Sequence, residues 1–164
     1  TEAVGSEFQQ VLQRRYEIID SNIPADIGDA AREVAAGAGS DREKAELLYE
    51  WLGKRIAYDW DKADNYTSKG IWKEQTPEET FKSRKGVCID TARLYAVMAR
   101  SAGLEVRVVT GLGADGRGGF GSHAWNEVKL ADEGGKWIPL DATWASTGDW
   151  FDSADFDKTH VRKI

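Results

Sequence analysis

Apolar residues fall at helical spacing through the first part of the chain and alternate with polar ones later. Between Ser6 and Ile19, the positions Phe8, Val11, Leu12, Tyr16 and Ile19 recur on one face of a helix. A second helix is expected from Asp26 to Ala36, just after Pro24. Ser40 and Glu43 then form a capping-box pattern, and Ala45, Leu48, Trp51, Leu52 and Ile56 make one apolar stripe behind it. From Tyr58 to Gln75 the pattern breaks down. Tyr58, Trp60, Tyr66 and Trp72 are scattered among charges with no clean period, so a long loop is expected there, and such loops in compact domains are usually functional. Thr76, Pro77 and Glu79 announce a short helix ending near Arg84 to Gly86. A further helix is expected from about Val87 to Ser101, stopped by Gly103.

Beyond Gly103 the period changes to two. Glu105 to Thr110, His123 to Leu130 and Trp137 to Asp141 read as strands, with the glycine-rich Ala114 to Ser122 as a mobile connection. Helices first and an antiparallel sheet afterwards is an α+β order, not an alternating βαβ one. A chain of 164 residues fits a single domain spanning 1–164. Within it we expect a helical part to about residue 55, a core from about 56 to 145, and a tail from 146 to 164.

Composition and charge narrow the function classes. The apolar share of 41% and charged share of 30% are those of a globular protein. No apolar run approaches the roughly 20 residues of a membrane helix. The first residues (Thr1, Glu2, Ala3, Val4, Gly5) carry no initiator Met, basic segment or apolar signal core, and are expected to be a processed end or an artificial boundary. A net charge of −6 repels phosphate backbones, so nucleic acid is not an expected partner. The single cysteine rules out an intrachain disulfide and a cysteine-rich zinc site. A lone thiol suits the cytoplasm and also occurs in secreted or cell-envelope enzymes, so compartment and oligomeric state are left open.

Against that background a few residues could carry chemistry. A lone cysteine is commonly a small buried hydrophobe. Cys88, however, opens a predicted helix, where unpaired N–H groups and the helix dipole favour a thiolate. Lys82, Arg84 and Lys85 lie just upstream, and Gly86 would let a substrate backbone approach the sulfur. A thiol nucleophile needs a base that works near neutral pH, and imidazole is the suitable one. Of the two histidines, His123 opens a strand after the glycine-rich stretch, whereas His160 lies close to the terminus. Asp141 ends the strand expected to pair with that of His123, where a carboxylate facing the ring would fix its tautomer. A turn or cap residue is the ordinary alternative for it. Cys88, His123, Asp141 and His160 are also residue types that bind zinc, but their spacing matches no standard site, and neither metal nor cofactor is expected.

Three blocks of the sequence resemble the transglutaminase-like superfamily. Gly86-Val87-Cys88-Ile89-Asp90-Thr91-Ala92-Arg93-Leu94, with Ala99 to Leu104 and Val108-Val109-Thr110-Gly111, resembles its cysteine segment. His123-Ala124-Trp125-Asn126-Glu127-Val128 is similar to its histidine strand, and Trp137-Ile138-Pro139-Leu140-Asp141-Ala142-Thr143-Trp144 to its aspartate strand. The resemblance runs from about Ile56 to Trp144. The tail from Phe151 to His160 is similar, more weakly, to the ending of the kyphoscoliosis-peptidase type.

The resemblance implies a papain-like fold, with helices packed on an antiparallel sheet and the nucleophile at a helix N-terminus. It implies Cys88, His123 and Asp141 as a catalytic triad that transfers acyl groups through a thioester, on protein or peptide substrates. Hydrolysis of peptide or amide bonds is the expected outcome, because water is always available and an amine acceptor needs its own site. Cross-linking of protein glutamines and a non-catalytic binding module are the alternatives. The Cys88 N–H is expected to hold the oxyanion, with Trp72 or Tyr58 as the second donor. Trp125 and Trp144 are expected to pack around the triad and shield it from water. Core packing remains open for Trp72, Tyr58, Trp125 and Trp144 alike. No acidic calcium loop is present. Activity is expected to fall at low pH as the Cys88–His123 pair takes up a proton.

Overall fold

The computed structural model describes residues 23–162, and the helix expected over Ser6 to Ile19 lies outside them. Helix α1 (Ala25–Ala35) follows Pro24, and α2 (Asp41–Arg55) starts where its cap is written: the Ser40 hydroxyl accepts the N–H of Glu43 at 3.1 Å. The α2 stripe buries Ala45, Leu48, Tyr49 and Leu52. The short β1 (Ala57–Tyr58) follows, and then the structure departs from the sequence reading. Trp60–Lys69 form a helix, α3, where a loop was expected. Its Asp59 caps the N–H of Lys62 at 3.1 Å, and Gly70 ends it in the left-handed region at φ 66°. Lys62 is its only buried residue. The helix therefore has no apolar stripe to reveal it, although both caps stand in the sequence.

Helix α4 (Pro77–Ser83) has the full capping box between Thr76 and Glu79, and β2 (Lys85–Gly86) pairs in parallel with β1. Helix α5 (Cys88–Ser101) is the centre of the domain, with every residue from Ile89 to Ala99 buried. Such burial on all faces needs cover on all faces. Helices α1, α2 and α4 pack against it, and the sheet covers another side.

Strand β3 (Glu105–Ala114) and β4 (Phe120–Leu130) make one long hairpin, followed by β5 (Lys136–Leu140), a short helix α6 (Phe156–Thr159) and β6 (His160–Arg162). The sheet order is β5-β4-β3-β6, antiparallel throughout. The expected mobile stretch Ala114 to Ser122 shrinks to a five-residue turn, Asp115 to Gly119. There the Asp115 carboxylate accepts the N–H groups of Arg117 and Gly119 at 2.8 and 3.0 Å. Strand pairing extends to Ala114 and Phe120 because glycine does not forbid extended backbone and each bond satisfies a backbone group.

Alternation along the strands divides the sheet. Val106, Val128, Leu130, Ile138 and Leu140 join the main core with α5. On the other face Val109, Trp125 and Phe156 form a separate cluster with Trp150. Phe156 and Trp150 thus cover part of the outer face, while Ala142 and Phe151 join the main core. Among the described residues no helix is long and apolar enough to cross a membrane.

Candidate active site

The N-terminus of α5 is built by an aspartate. Asp90, the third helical residue, accepts the N–H of Val87 at 2.9 Å through Oδ2, satisfying one of the donors a helix start leaves open. The same oxygen accepts from Lys62 Nζ at 2.8 Å, and Gln75 Oε1 lies 3.3 Å from that ammonium. A Cβ at Gly86 would come within 2.6 Å of the Asp90 Cβ. The room at Gly86 is therefore used from inside by the capping carboxylate, not by an approaching chain. Burial pushes the Asp90 carboxyl up, opposed by the bonds from Lys62 and Val87. Two of the three upstream cations are engaged elsewhere: Lys82 with Glu78 at 2.9 Å, and Arg84 over the rings of Trp51 and Phe81.

Cys88 follows this cap, half-buried, beside Val87, Ile89, Ala92 and Ala124. His123 lies across from it on β4, paired with Gly111 of β3. Its Nε2 sits 2.6 Å from Oδ2 of Asp141, and the Cys88 side chain is close enough to favour the charged form of the ring. With Nε2 engaged, Nδ1 is the nitrogen left free to exchange a proton with the thiol. Asp141 does not face His123 in register. Leu140, the last residue of β5, pairs with Asn126, so Asp141 lies one step beyond and reaches His123 diagonally. Its two oxygens divide the work. Oδ1 accepts the N–H of Trp144 at 3.3 Å, the cap role that was the ordinary alternative, while Oδ2 holds the imidazole.

Electrostatics follow from this geometry. Burial works against charge on His123, but the hydrogen bonds to Asp141 and then Cys88, with the charges of both, push its pKa up to about 10. Burial likewise opposes charge on Asp141, yet the bonds from His123 and His160 outweigh it and hold the carboxyl below its ordinary value. Because His123 titrates higher in the fold than when unfolded, its stabilisation is complete below pH 6.5 and lost as pH rises through about 10. The melting temperature should therefore decline between pH 7 and 10, and that decline should be smaller in His123→Ala. Equal slopes in the two proteins would contradict the coupling.

Aromatic rings enclose the histidine. Trp144 stacks on it at 4.7 Å between centroids and 22° between planes, and Trp125 at 6.0 Å and 29°. Trp125 is 3% exposed and belongs to the outer-face cluster. On the open side, a Cβ at Gly113 would lie 2.9 Å from Cβ, Cγ and Cδ2 of His123. That contact is too short, so Gly113→Ala should displace the ring. Labelling of the thiol near neutral pH should then fall by roughly 10–100-fold, since an ångström of misplacement is costly. Unchanged labelling would show that the ring can shift freely.

The two candidate donors near the sulfur differ. Tyr58 is close enough that, after burial, the charge of Cys88 is the next cause raising its pKa. Trp72 gives its indole N–H to Glu74 at 3.3 Å, and its ring lies over Lys62 Nζ at 4.7 Å. Its place is therefore beside the buried ion pair. Sequence reasoning missed Lys62 and Asp90, and it set His160 aside. The only local signals were an aspartate three residues after Val87, for Asp90, and Phe151 and Phe156 in the tail, for His160.

His123, Asp141 and His160 could hold a metal by residue type, with ligand atoms all within 4.8 Å of one another. Cys88 is not part of that group. Both imidazole Nε2 atoms lie at hydrogen-bond distance from one carboxylate oxygen, at 2.6 and 2.7 Å. That is the arrangement of two N–H donors on a shared acceptor. A zinc ion would instead need both nitrogen lone pairs turned toward itself.

A helix presenting a cysteine to a sheet that carries histidine and aspartate defines the class. The chain belongs to the transglutaminase-like superfamily, whose core family model matches residues 28–142. The UPF0252 protein MJ1282 of Methanocaldococcus jannaschii is 40% identical over 63 residues, 37% of this chain and 18% of its own length. A proposed cysteine protease from Cytophaga hutchinsonii superposes with a TM-score of 0.57 at 23% identity, over 72% of this chain and 37% of that one. A TGase structure gives 0.56 at 22% identity, over 86% and 36%. At such identities the likeness to the solved structures is one of fold. The chain spans under half the length of each of these relatives.

Proposed function

We propose that this chain catalyses cysteine-dependent acyl transfer on peptide or amide substrates, with hydrolysis as its outcome. The observation that carries the reading is the His123 ring, held at Nε2 by Asp141 at 2.6 Å, with the Cys88 thiol near enough to act on its titration. The proton of the Cys88 thiol resides on His123 in the resting pair, and Asp141 stabilises that imidazolium. The thiolate attacks the carbonyl carbon, and the carbonyl oxygen takes the negative charge. As the C–N bond breaks, His123 returns its proton to the leaving amine and a thioester remains on Cys88. His123 then takes a proton from water, which attacks the thioester and releases the acid and the thiol.

The oxyanion is held by the Cys88 N–H at the start of α5 and by the Tyr58 hydroxyl. Burial and the nearby sulfur keep the phenol protonated, as a donor must be. What supports Tyr58 over Trp72 is that proximity, together with the engagement of the Trp72 N–H by Glu74. The domain is read as one unit over 1–164, its tail covering the sheet behind the triad.

The test is labelling by iodoacetamide across pH, comparing the wild type with His123→Ala. Cys88 is the sole cysteine, so the label reports one site. Reaction well below pH 8 that is lost without His123 is the expected result. Reaction only near pH 8.5, as for a free thiol, would rule the reading out.

A further inference from the structure

The carboxylate of Asp141 serves a second imidazole. Strand β6 pairs with β3 so that His160 stands opposite Gly113, the residue whose missing side chain leaves room for the His123 ring. His160 Nε2 lies 2.7 Å from Oδ2 of Asp141, the same oxygen that holds His123. Its side chain is fully buried, at 0% exposure. The ring is stacked on Phe156 at 3.8 Å and 13°, with Trp144 at 4.4 Å and Trp125 at 4.9 Å. The remaining nitrogen is held as well: Nδ1 lies 2.9 Å from Thr159 Oγ1 and 3.2 Å from the carbonyl of Phe156. Nothing about this residue is left to rotate.

A carboxylate that is 1% exposed must replace the water it has lost with donors. His123 alone would leave Oδ2 with a single side-chain donor, and the charge of that donor changes as protons move at its other nitrogen. The Trp144 N–H reaches only Oδ1, at 3.3 Å. We propose that His160 is a positioning residue of this site: its Nε2–H anchors the Asp141 carboxylate in the orientation that serves His123, throughout the proton transfers between His123 and Cys88. This rests on the catalytic reading above. His160 touches neither the thiol nor the substrate; it acts through Asp141, while Phe156, Trp144 and Thr159 fix its ring.

The experiment measures the rate of Cys88 alkylation by iodoacetamide between pH 5 and 9.5 in the wild type, His160→Gln and His160→Phe. Phenylalanine keeps the ring stack but offers no N–H, whereas glutamine restores an amide donor near the position of Nε2. The His160→Phe rate at pH 6 should fall by roughly tenfold or more, the size of one hydrogen bond to a charged group, and should match the wild type above pH 9. His160→Gln should return much of the lost reactivity. A purely structural role would lower the melting temperature of both variants without moving the midpoint of the pH profile. If the wild type reacts at low pH and His160→Phe keeps that limb, this inference falls while the catalytic reading stands. If the wild type already behaves as a free thiol, both fall. Nitrogen-15 spectra of the wild type give a check that does not depend on how the variants fold. His160 should be protonated at Nε2 in a hydrogen bond, and a bare Nε2 would overturn the proposal.

Discussion

Cys88→Ala should abolish turnover, with a loss of about 10⁴-fold or more, because every step of the proposed reaction passes through the sulfur. Stability should hardly change. The thiol is only half-buried at the edge of a small apolar cluster with Val87, Ile89 and Ala92, so its removal opens little cavity. Cys88→Ser should be nearly as inactive, since a hydroxyl gives up its proton far less readily than a thiol. The measurement is release of product from a panel of fluorogenic peptides, with amine incorporation into a protein run alongside. The first readout reports water as the acyl acceptor and the second an amine, so the same assay separates hydrolysis from cross-linking. Full activity in Cys88→Ala would remove the sulfur from the mechanism. A loss that appears only with a collapsed melting curve would show that the residue is structural.

Lys62→Met should produce the largest loss of stability. Lys62 Nζ and Asp90 Oδ2 are 2.8 Å apart, with side chains only 5% and 1% exposed. Replacing the lysine leaves a buried carboxylate without its ion-pair partner, with only the more distant charge of Arg93 acting on it, and breaking such a pair typically costs about 3–5 kcal/mol. For a chain of this size that corresponds to a melting temperature lower by roughly 10–15 °C. The pH dependence gives a sign to check. Burial already pushes the Asp90 carboxyl up, and without Lys62 it rises further. A carboxyl raised in the fold binds its proton more tightly there than in the unfolded chain. The variant should therefore regain stability as pH falls toward 5, where the wild type gains less. Adding Asp90→Leu should return part of the loss by removing the stranded charge, though not the cap on Val87. Thermal unfolding of the wild type and these two variants at pH 5 and pH 7.5 tests this. A melting temperature unchanged in Lys62→Met would mean that Asp90 is already neutral in the native protein.

The consequence reaches the sulfur. Asp90 caps the residue just before Cys88, and Gly86 leaves the space for it. The ion pair thereby ties α3 to the helix start that carries the nucleophile. Lys62→Met is also expected to loosen the placement of Cys88, which makes α3 a support of the site rather than the loop its sequence suggested.

Much of this architecture could be read from local patterns, and the reason is physical. Helices α2 and α4 announce themselves because their caps and stripes lie within a few residues of one another: Ser40 with Glu43, Thr76 with Glu79, and Leu48 with Leu52. The strands carrying His123 and preceding Asp141 alternate because one face of each meets α5. A cysteine at a helix start, a histidine on a strand and an aspartate after the next strand could be found by the same means. They are placed by elements whose identity is local.

What could not be read are contacts between distant positions whose residues look like ordinary surface residues. Helix α3 buries only Lys62, so no stripe betrays it. Lys62 and Asp90 are 28 residues apart, and nothing in either neighbourhood says that they meet. His160 was set aside for standing near the end of the sequence, yet β6 returns along β3 and brings it to Asp141, 19 residues earlier. Local periodicity tells which face of a strand is apolar but not which edge of the sheet the next strand will join. Most of the elements thus followed from short-range chemistry, and the three central residues from it together with the family resemblance. The second imidazole and the buried lysine were decided by sheet order and helix packing, since only the closed fold takes water from those groups and obliges them to find each other.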